Sequence, residues 1–387
     1  MTIFIDITGF GMIIPLLPFY AETFNAGPTA LGILVASFSM MQFVFSPILG
    51  KVSDNVGRKP VLLVSIMISA LSFVFFALAN SFLILLLSRI ISGMATETAV
   101  AQAYIADTTS ERERAKGIGR VGAAHGAGVI IGPAIGGFLS VYGFSAPGWA
   151  ASALALLNLL FVFLFLPEPA HRTDPRMGPR SKPDDSYLSR LGTAPTRPLI
   201  GFVLIISFII TLAFSTIPVI MPLLGMSFFD FGSVEMSYVF IYIGFIQIVL
   251  QGFAIGRLAE SFGEEKVIAF GSLLMMLGML FMPLLPNVVA FLASLASIAL
   301  GRGMTQTAIP SFISKKAMLD EQGGMLGVSQ SVSSIARVPG PLVAGLVFEF
   351  AGLATPFFVS ATLLIVAFGL GCMVLHACAR SVDLKNA

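Results

Sequence analysis

The sequence predicts an all-α membrane protein with twelve transmembrane helices in two pseudo-symmetric six-helix bundles, and three observations predict it. Hydrophobic residues make up 56% of the chain and charged residues 11%, against roughly a quarter charged in a soluble domain. Apolar runs close to the roughly 20 residues that cross a hydrocarbon core recur along nearly the whole length. A pattern of small residues and prolines returns about half a chain later, the mark of a duplicated bundle.

The expected spans are 1–21, 29–50, 61–79, 82–105, 117–141, 147–166, 199–223, 234–258, 267–285, 288–312, 325–349 and 353–378. Span 1 starts at the initiator Met without a basic leader or a small-residue cleavage site, so it reads as a retained helix and not as a signal peptide. Strands of a membrane barrel alternate in polarity over roughly ten residues, whereas runs such as Val61 to Ala79 are apolar on every face. The stretch Pro167 to Pro198 is rich in proline and mixed charge and reads as a cytoplasmic linker. It separates an N-terminal half, 1–166, from a C-terminal half, 199–387. Cys372 and Cys378, the only cysteines, are expected to be free thiols, since one such pair near a span end makes neither a disulfide framework nor a zinc site.

Lys and Arg accumulate in short cytoplasmic loops. With the N-terminus inside, nineteen of the 22 basic residues fall in the alternate loops, at the span ends that border them and in the C-terminal tail; Arg89, Arg302 and Arg337 lie deep within spans. The opposite loops then hold none, while Glu22, Asp230 and Glu235 lie there. Both termini are therefore expected to be cytoplasmic, in a plasma (inner) membrane. The formal charge of +2 is spread over one membrane face, which points to lipid headgroups as its partner and not to nucleic acid. A monomer is expected.

The duplication is legible residue by residue. Gly119-x8-Gly128-x3-Gly132-Pro133-x2-Gly136-Gly137 in span 5 recurs 208 residues later as Gly327-x8-Ala336-x3-Gly340-Pro341-x2-Ala344-Gly345 in span 11. Gly50, Asp54, Gly57, Arg58 and Lys59, between spans 2 and 3, align at an offset of 206 with Gly256, Glu260, Gly263, Glu264 and Glu265. Thr96-Glu97-Thr98-Ala99 is echoed by Thr305-Gln306-Thr307-Ala308.

On these motifs the sequence resembles the major facilitator superfamily, and within it the drug:proton antiporters that include the tetracycline efflux proteins. Gly50 to Lys59 is similar to that superfamily's signature between spans 2 and 3. Asp6-Ile-Thr-Gly9-Phe-Gly11-x3-Pro15-Leu-Leu-Pro18 is similar to the span 1 motif of the twelve-span drug antiporters, and the span 5 glycine pattern matches their antiporter motif. Arg89-x3-Gly93 is similar to the span 4 motif, with Ser92 where a Gln often stands. The resemblance covers essentially the whole chain and implies a carrier in which two halves rock about a midplane site.

The motifs also have physical readings. Gly128, Gly132 and Gly136 line one helix face and let a neighbour approach closely, Pro133 removes a backbone hydrogen bond and invites a kink, and a tight face there would hinder a leak between the halves. Asp54, Arg58 and Lys59 can act as a conformational latch, or reflect positive-inside sorting alone.

Ionisable groups inside spans cost from roughly 3 kcal/mol upward and face a cavity or a partner. The candidates are Asp6, Arg89, Glu97, His125, Arg302 and Arg337. At about 1.5 Å per residue, Asp6 and Glu97 lie roughly 6–7 Å to the cytoplasmic side of their helix centres and Arg89 a similar distance outward. Two carboxylates in a poorly hydrated cavity can exchange protons near neutral pH, and Arg89 can serve as counter-ion. Asp6 or Glu97 is thus the expected coupling site, the alternative being a structural pair or a residue snorkelling to the interface. His125 titrates near pH 6.5 or packs structurally. Arg302 and Arg337 can bind an anionic substrate or take part in structural pairing. Gln42, Asn158, Tyr242, Gln247, Gln251 and Gln306 are the expected polar cavity linings.

The expected function is proton-coupled export of small amphipathic compounds, with protons as the coupling ion and no other cofactor. The alternatives are a carrier of a native, anionic metabolite and a non-transporting receptor. An enzyme or primary pump is not expected: there is no HExxH, the three His stand apart at 125, 171 and 376, and no GxxxxGK[ST] occurs.

Overall fold

The computed structural model describes residues 1–95, 97–108, 111–168, 198–251, 255–317 and 322–386. The expected linker, apart from its first two residues and Pro198, and Thr96 of the repeated tetrapeptide lie outside the described residues. The described secondary structure is helical throughout. The helices are α1 Thr2–Ile13, α2 Leu17–Glu22, α3 Pro28–Val56, α4 Arg58–Ala77, α5 Phe82–Met94, α6 Glu97–Thr108, α7 Glu111–Ser140, α8 Ser145–Phe165 and α9 Pro198–Ser215. They continue with α10 Ile217–Phe229, α11 Ser233–Val249, α12 Ile255–Phe262, α13 Glu264–Phe281, α14 Val288–Lys316, α15 Gln322–Ala336, α16 Pro339–Ala351 and α17 Thr355–Asn386.

Ten helical stretches among the described residues are long and apolar enough to cross a membrane, from Thr2–Glu22 to Thr355–Cys378. The two further expected spans correspond to α11, which is apolar but 17 residues long, and to α13, whose first turn carries Glu264 and Glu265. Each of the twelve expected spans is therefore mainly helical over its described residues.

Several spans are interrupted, and the sequence says why. Pro15 and Pro18 each remove an amide donor, and between them the helix tightens to a single 3-10 turn, Ile14–Leu16. Span 4 breaks at Ala95, whose backbone is extended, so Glu97 opens a new helix. Span 5 runs unbroken through Pro133, with no helix break at the expected kink. Its repeat partner breaks between Ala336 and Pro339. The difference is one extra proline: Ile131-Gly132-Pro133 becomes Pro339-Gly340-Pro341, and a residue before proline is pushed out of helical conformation.

The chain forms two compact units. The first comprises Met1–Ala170, Pro218–Phe245 and Pro341–Gly352, and the second His171–Ile217, Ile246–Gly340 and Leu353–Ala387. In the first, α1 packs on α7 and α8, α4 on α5 and α8, and α3 on α5. Its core includes Met12, Ile13, Leu16, Leu34, Phe76 and Leu85, all fully buried. In the second, α13 packs on α14 and α17, while α9 packs on α14, α15 and α17. Phe291, Met275, Phe357 and Leu364 are fully buried there.

Candidate functional site

The glycine stripe of α7 lies against α1. A Cβ on Gly128 would stand 2.9 Å from the Ile7 Cβ, and one on Gly132 2.6 Å from the Thr8 carbonyl oxygen and 2.8 Å from the Gly11 Cα. Gly136 meets the Met12 carbonyl in the same way. Gly11 reciprocates, its absent Cβ facing Gly132 and the Pro133 ring at 3.1–3.2 Å. The span 1 and span 5 motifs are thus two faces of one contact in which backbone touches backbone. Gly119 lies in the same helix, outside the residues whose packing is described.

Gly137 points elsewhere, to Ser237 of α11, whose Oγ would be 2.6 Å from an added Cβ. Along that seam Gly244 packs on Val129 and Ile130, and the Ser140 and Ser233 hydroxyls lie 2.9 Å apart. These pairs have an almost constant sum of residue numbers, which makes α7 and α11 antiparallel neighbours. The equivalent seam joins α3 to α16. Gly32 meets the Pro341 carbonyl, Gly345 meets Pro28 with its Cβ position 3.0 Å from the Thr29 Cα, and the Thr29 amide donates to Glu349 Oε2 at 3.2 Å. Both seams belong to the first unit, and the α3 seam lies at the opposite end of that helix from the Gly57 corner.

At the other end of α3, Arg58 is clamped. Its guanidinium reaches Asp54 at 2.6 Å, Asp107 at 2.8 Å and the Ser53 hydroxyl at 2.6 Å. Glu168 accepts hydrogen bonds from the Arg58 and Lys59 amides at 2.6 and 2.8 Å, satisfying the first free N–H groups of α4. Gly57 makes the corner at φ +111° with Glu168 Oε1 2.8 Å from where a Cβ would be, and Lys59 donates to the Phe163 carbonyl at 2.9 Å. Gly50 has open space around it. Sequence reasoning missed Glu168, Asp107 and Ser53: the first lies in the expected linker and the second between the expected spans 4 and 5.

The second unit carries a counterpart of opposite sign. Gly263 turns at φ +87°, and Glu264 takes the place of Arg58. Its Oε1 pairs with the Lys315 ammonium and accepts from the Ser311 hydroxyl at 3.0 Å. Burial pushes the Glu264 carboxyl up, but the hydrogen bonds from Lys315, its own backbone and Ser311, with the Lys315 charge, hold it below the ordinary value of 4.5. Lys315 stands 208 residues beyond Asp107, so the duplicated pair is preserved with its charges exchanged.

The expected proton residues fall in the first unit. Glu97 is 3% exposed, opens α6, and accepts a hydrogen bond from the Ser69 hydroxyl at 2.6 Å. Asp6 is half-buried on α1, which packs on α6, and feels the charge of Glu97. Arg89 does not pair with either. It is 1% exposed, none of its three guanidinium nitrogens has a hydrogen-bond partner, and it lies 5.8 Å from the Phe76 ring centre. The counter-ion arrangement expected from sequence is therefore not formed here, because Arg89 stands two helical turns before Glu97 and Ser69 occupies the carboxylate.

His125 is exposed on α7. Asn158 is buried and donates to the Thr2 carbonyl at 3.5 Å, so it ties α8 to α1. Gln42, Tyr242 and Gln247 are half-buried on α3 and α11, Gln251 is exposed just beyond α11, and Gln306 is exposed on α14. Arg302 and Arg337 are half-buried in the second unit. Neither Cys372 nor Cys378 is in a disulfide. Among the described residues, no cluster of three or more His, Cys, Asp or Glu is placed to hold a metal.

The sequence profile of the Major Facilitator Superfamily matches residues 1–341 and 203–382. The chain belongs to the Major Facilitator Superfamily. It is 32% identical to the tetracycline resistance protein, class E, of Escherichia coli over 351 residues, 90% of this chain and 86% of that protein. It is 26% identical to multidrug resistance protein 2 of Bacillus subtilis over 374 residues, 95% and 92% of the two chains. Among solved structures, the human organic anion transporter MFSD10 (TETRAN) superposes with a TM-score of 0.71 at 24% identity, covering 96% of this chain and 97% of that one. The nucleoside transporter NupG superposes with a TM-score of 0.78 at 14% identity, covering 97% of each. At such identities the structural likeness concerns the fold. This superfamily member is an integral membrane transporter.

Proposed function

We propose that this protein exports small amphipathic compounds in exchange for protons, by alternating access between two six-helix halves, 1–166 and 199–387, joined by the 167–198 linker. The observation that carries the reading is the pair of carboxylates, Asp6 and Glu97, on the packed helices α1 and α6, in a bundle whose α1–α7 contact is built on Gly128, Gly132 and Gly136 of the antiporter motif. The names of the tetracycline and multidrug resistance relatives support export of drug-like compounds.

Both termini are cytoplasmic in this reading, which puts Gly50–Lys59 and Glu264–Lys315 on the inner face of a plasma membrane. The α3–α16 and α7–α11 seams then close the outer face of the first unit. Glu97 can trade a proton with Asp6 at one position and be released from Ser69 as the break at Ala95 lets α6 turn relative to α5. No enzymatic chemistry and no cofactor beyond the proton is assigned, and the protein works as a monomer with a small-molecule substrate.

The test is substrate-dependent proton movement in proteoliposomes under an imposed pH gradient, for wild type, Asp6→Asn and Glu97→Gln. Proton flux driven by lipophilic cations or zwitterions should be lost in at least one variant. Retention of full coupling in both refutes the assignment of these carboxylates, and absence of flux with every compound refutes antiport.

A further inference from the structure

The second unit holds two arginines that no described carboxylate neutralises. Their placement follows from helix register. Ser207 of α9 and Ser333 of α15 meet through their hydroxyls at 3.2 Å, and two turns further the absent Cβ of Gly340 faces Ser215, with the Leu212 carbonyl at 2.8 Å. α9 therefore runs parallel to α15 and to the start of α16 at an offset of 125–126 residues, and this register sets Arg337, in the break between α15 and α16, level with Thr211, between the two contacts. From a third helix, α14, Arg302 reaches the same level: its Nη1 donates to the Thr211 hydroxyl at 3.4 Å. The two guanidiniums act on each other electrostatically.

Arg302 is oriented by an aromatic floor. Its guanidinium carbon lies 4.9 Å from the centre of the Phe214 ring, a stacking that leaves the edge of the fork with its N–H donors available. Thr211 is its one hydrogen-bond partner among the described residues, at the long end of the range. Arg337 sits where the extra proline of the second repeat breaks the helix, and its equivalent in the first repeat is Val129. Two like charges in a poorly hydrated helix bundle are costly, and a planar oxyanion presented to paired guanidiniums offsets that cost with bidentate, charge-assisted hydrogen bonds.

We propose that Arg302 and Arg337, with Thr211, Ser207, Ser333 and the Phe214 ring, form a binding site for the carboxylate of a small aromatic acid. The site rests on the transport reading only for its purpose: it names anionic aromatic compounds as one substrate class. Binding is measured without a gradient, so failure of proton coupling and failure of this site register separately.

Calorimetric titration of the purified full-length protein with benzoate, and with neutral benzamide of the same shape, tests it. Benzoate should bind at least about tenfold more tightly than benzamide, a difference that one charge-assisted pair supplies. Arg302→Gln and Arg337→Gln should each weaken benzoate by about tenfold or more without a comparable change for benzamide, and Arg302→Lys, which keeps charge without the fork, should recover only part. Should a Gln variant lose its thermal unfolding transition, Thr211→Val decides instead, with weaker benzoate binding supporting the site and unchanged binding overturning it. Equal binding of benzoate and benzamide to wild type overturns the proposal. So does unchanged benzoate affinity in both folded Gln variants, and so does displacement of benzoate by an equal concentration of chloride, which would mark a site for inorganic ions.

Discussion

Adding one methyl group at Gly132 should damage this protein, whereas adding it ten residues earlier in the same helix should not. A Cβ at Gly132 would stand 2.6 Å from the Thr8 carbonyl oxygen and 2.8 Å from the Gly11 Cα, where ordinary contact begins at 3.4 Å. The shortfall of about 0.8 Å falls on backbone, which no rotamer change relieves, so α1 and α7 must separate along a row that includes Gly128 and Gly136. Overpacking of this kind costs about 1–3 kcal/mol, against which the helix propensity of Ala returns roughly 1 kcal/mol. Gly122 faces open space, with nothing within 4 Å of its Cβ position, and there only the propensity gain applies. Thermal unfolding of the purified protein in detergent should show Gly132→Ala destabilised and Gly122→Ala unchanged or slightly stabilised. Proteoliposome transport should fall for Gly132→Ala, since α1 carries Asp6. Equal stability of the two variants would refute the close-packing account of the motif.

Three further outcomes follow from the same geometry. Gly57→Ala places a side chain at φ +111° against Glu168 and should lose about 1–3 kcal/mol of stability, while Glu168→Ala should lose about 1 kcal/mol as an N-terminal cap does; a thermal midpoint unchanged in both would dismiss the corner as a structural device. The Glu264 carboxyl titrates below its ordinary value of 4.5, so its stabilisation is complete above that value and disappears as the pH falls through the lowered one. Scanning the melting midpoint from neutral to acid pH should show a loss that Glu264→Gln flattens, and identical pH profiles would exclude this pair as its source. With Cys372 and Cys378 replaced by Ser, a Ser140→Cys, Ser233→Cys double variant should form a disulfide on oxidation, because the two hydroxyls lie 2.9 Å apart across α7 and α11. Transport should stop on oxidation and return with reductant; unimpeded transport by the cross-linked protein would show that this seam need not open.

Much of the molecule was legible in the sequence because the bilayer imposes it. Every span must be long, apolar and internally hydrogen-bonded, so the twelve helices and their repeats could be read from hydropathy and from the spacing of Gly and Pro. For the carboxylates, helix depth put Asp6 and Glu97 at one level, and the structure packs α1, which carries Asp6, on α6, which Glu97 opens. Side-chain partners were not legible, since they join residues far apart in the chain. Ser69 reaches Glu97 across 28 positions and Glu168 caps α4 across 110, and no local pattern announces either.

By itself the sequence determined the helical class, the approximate places of the spans, the duplication and the superfamily, all properties of local composition and periodicity. Tertiary structure alone decided which face each motif turns to which neighbour. It set Gly128, Gly132 and Gly136 of α7 on α1 and turned Gly137 toward α11, left Arg89 without a carboxylate partner among the described residues, and brought Arg302 to Thr211. The physical reason is that a helix states its own face through a 3.6-residue period, whereas the partner of that face is chosen by close packing among helices whose positions in the chain carry no record of the choice.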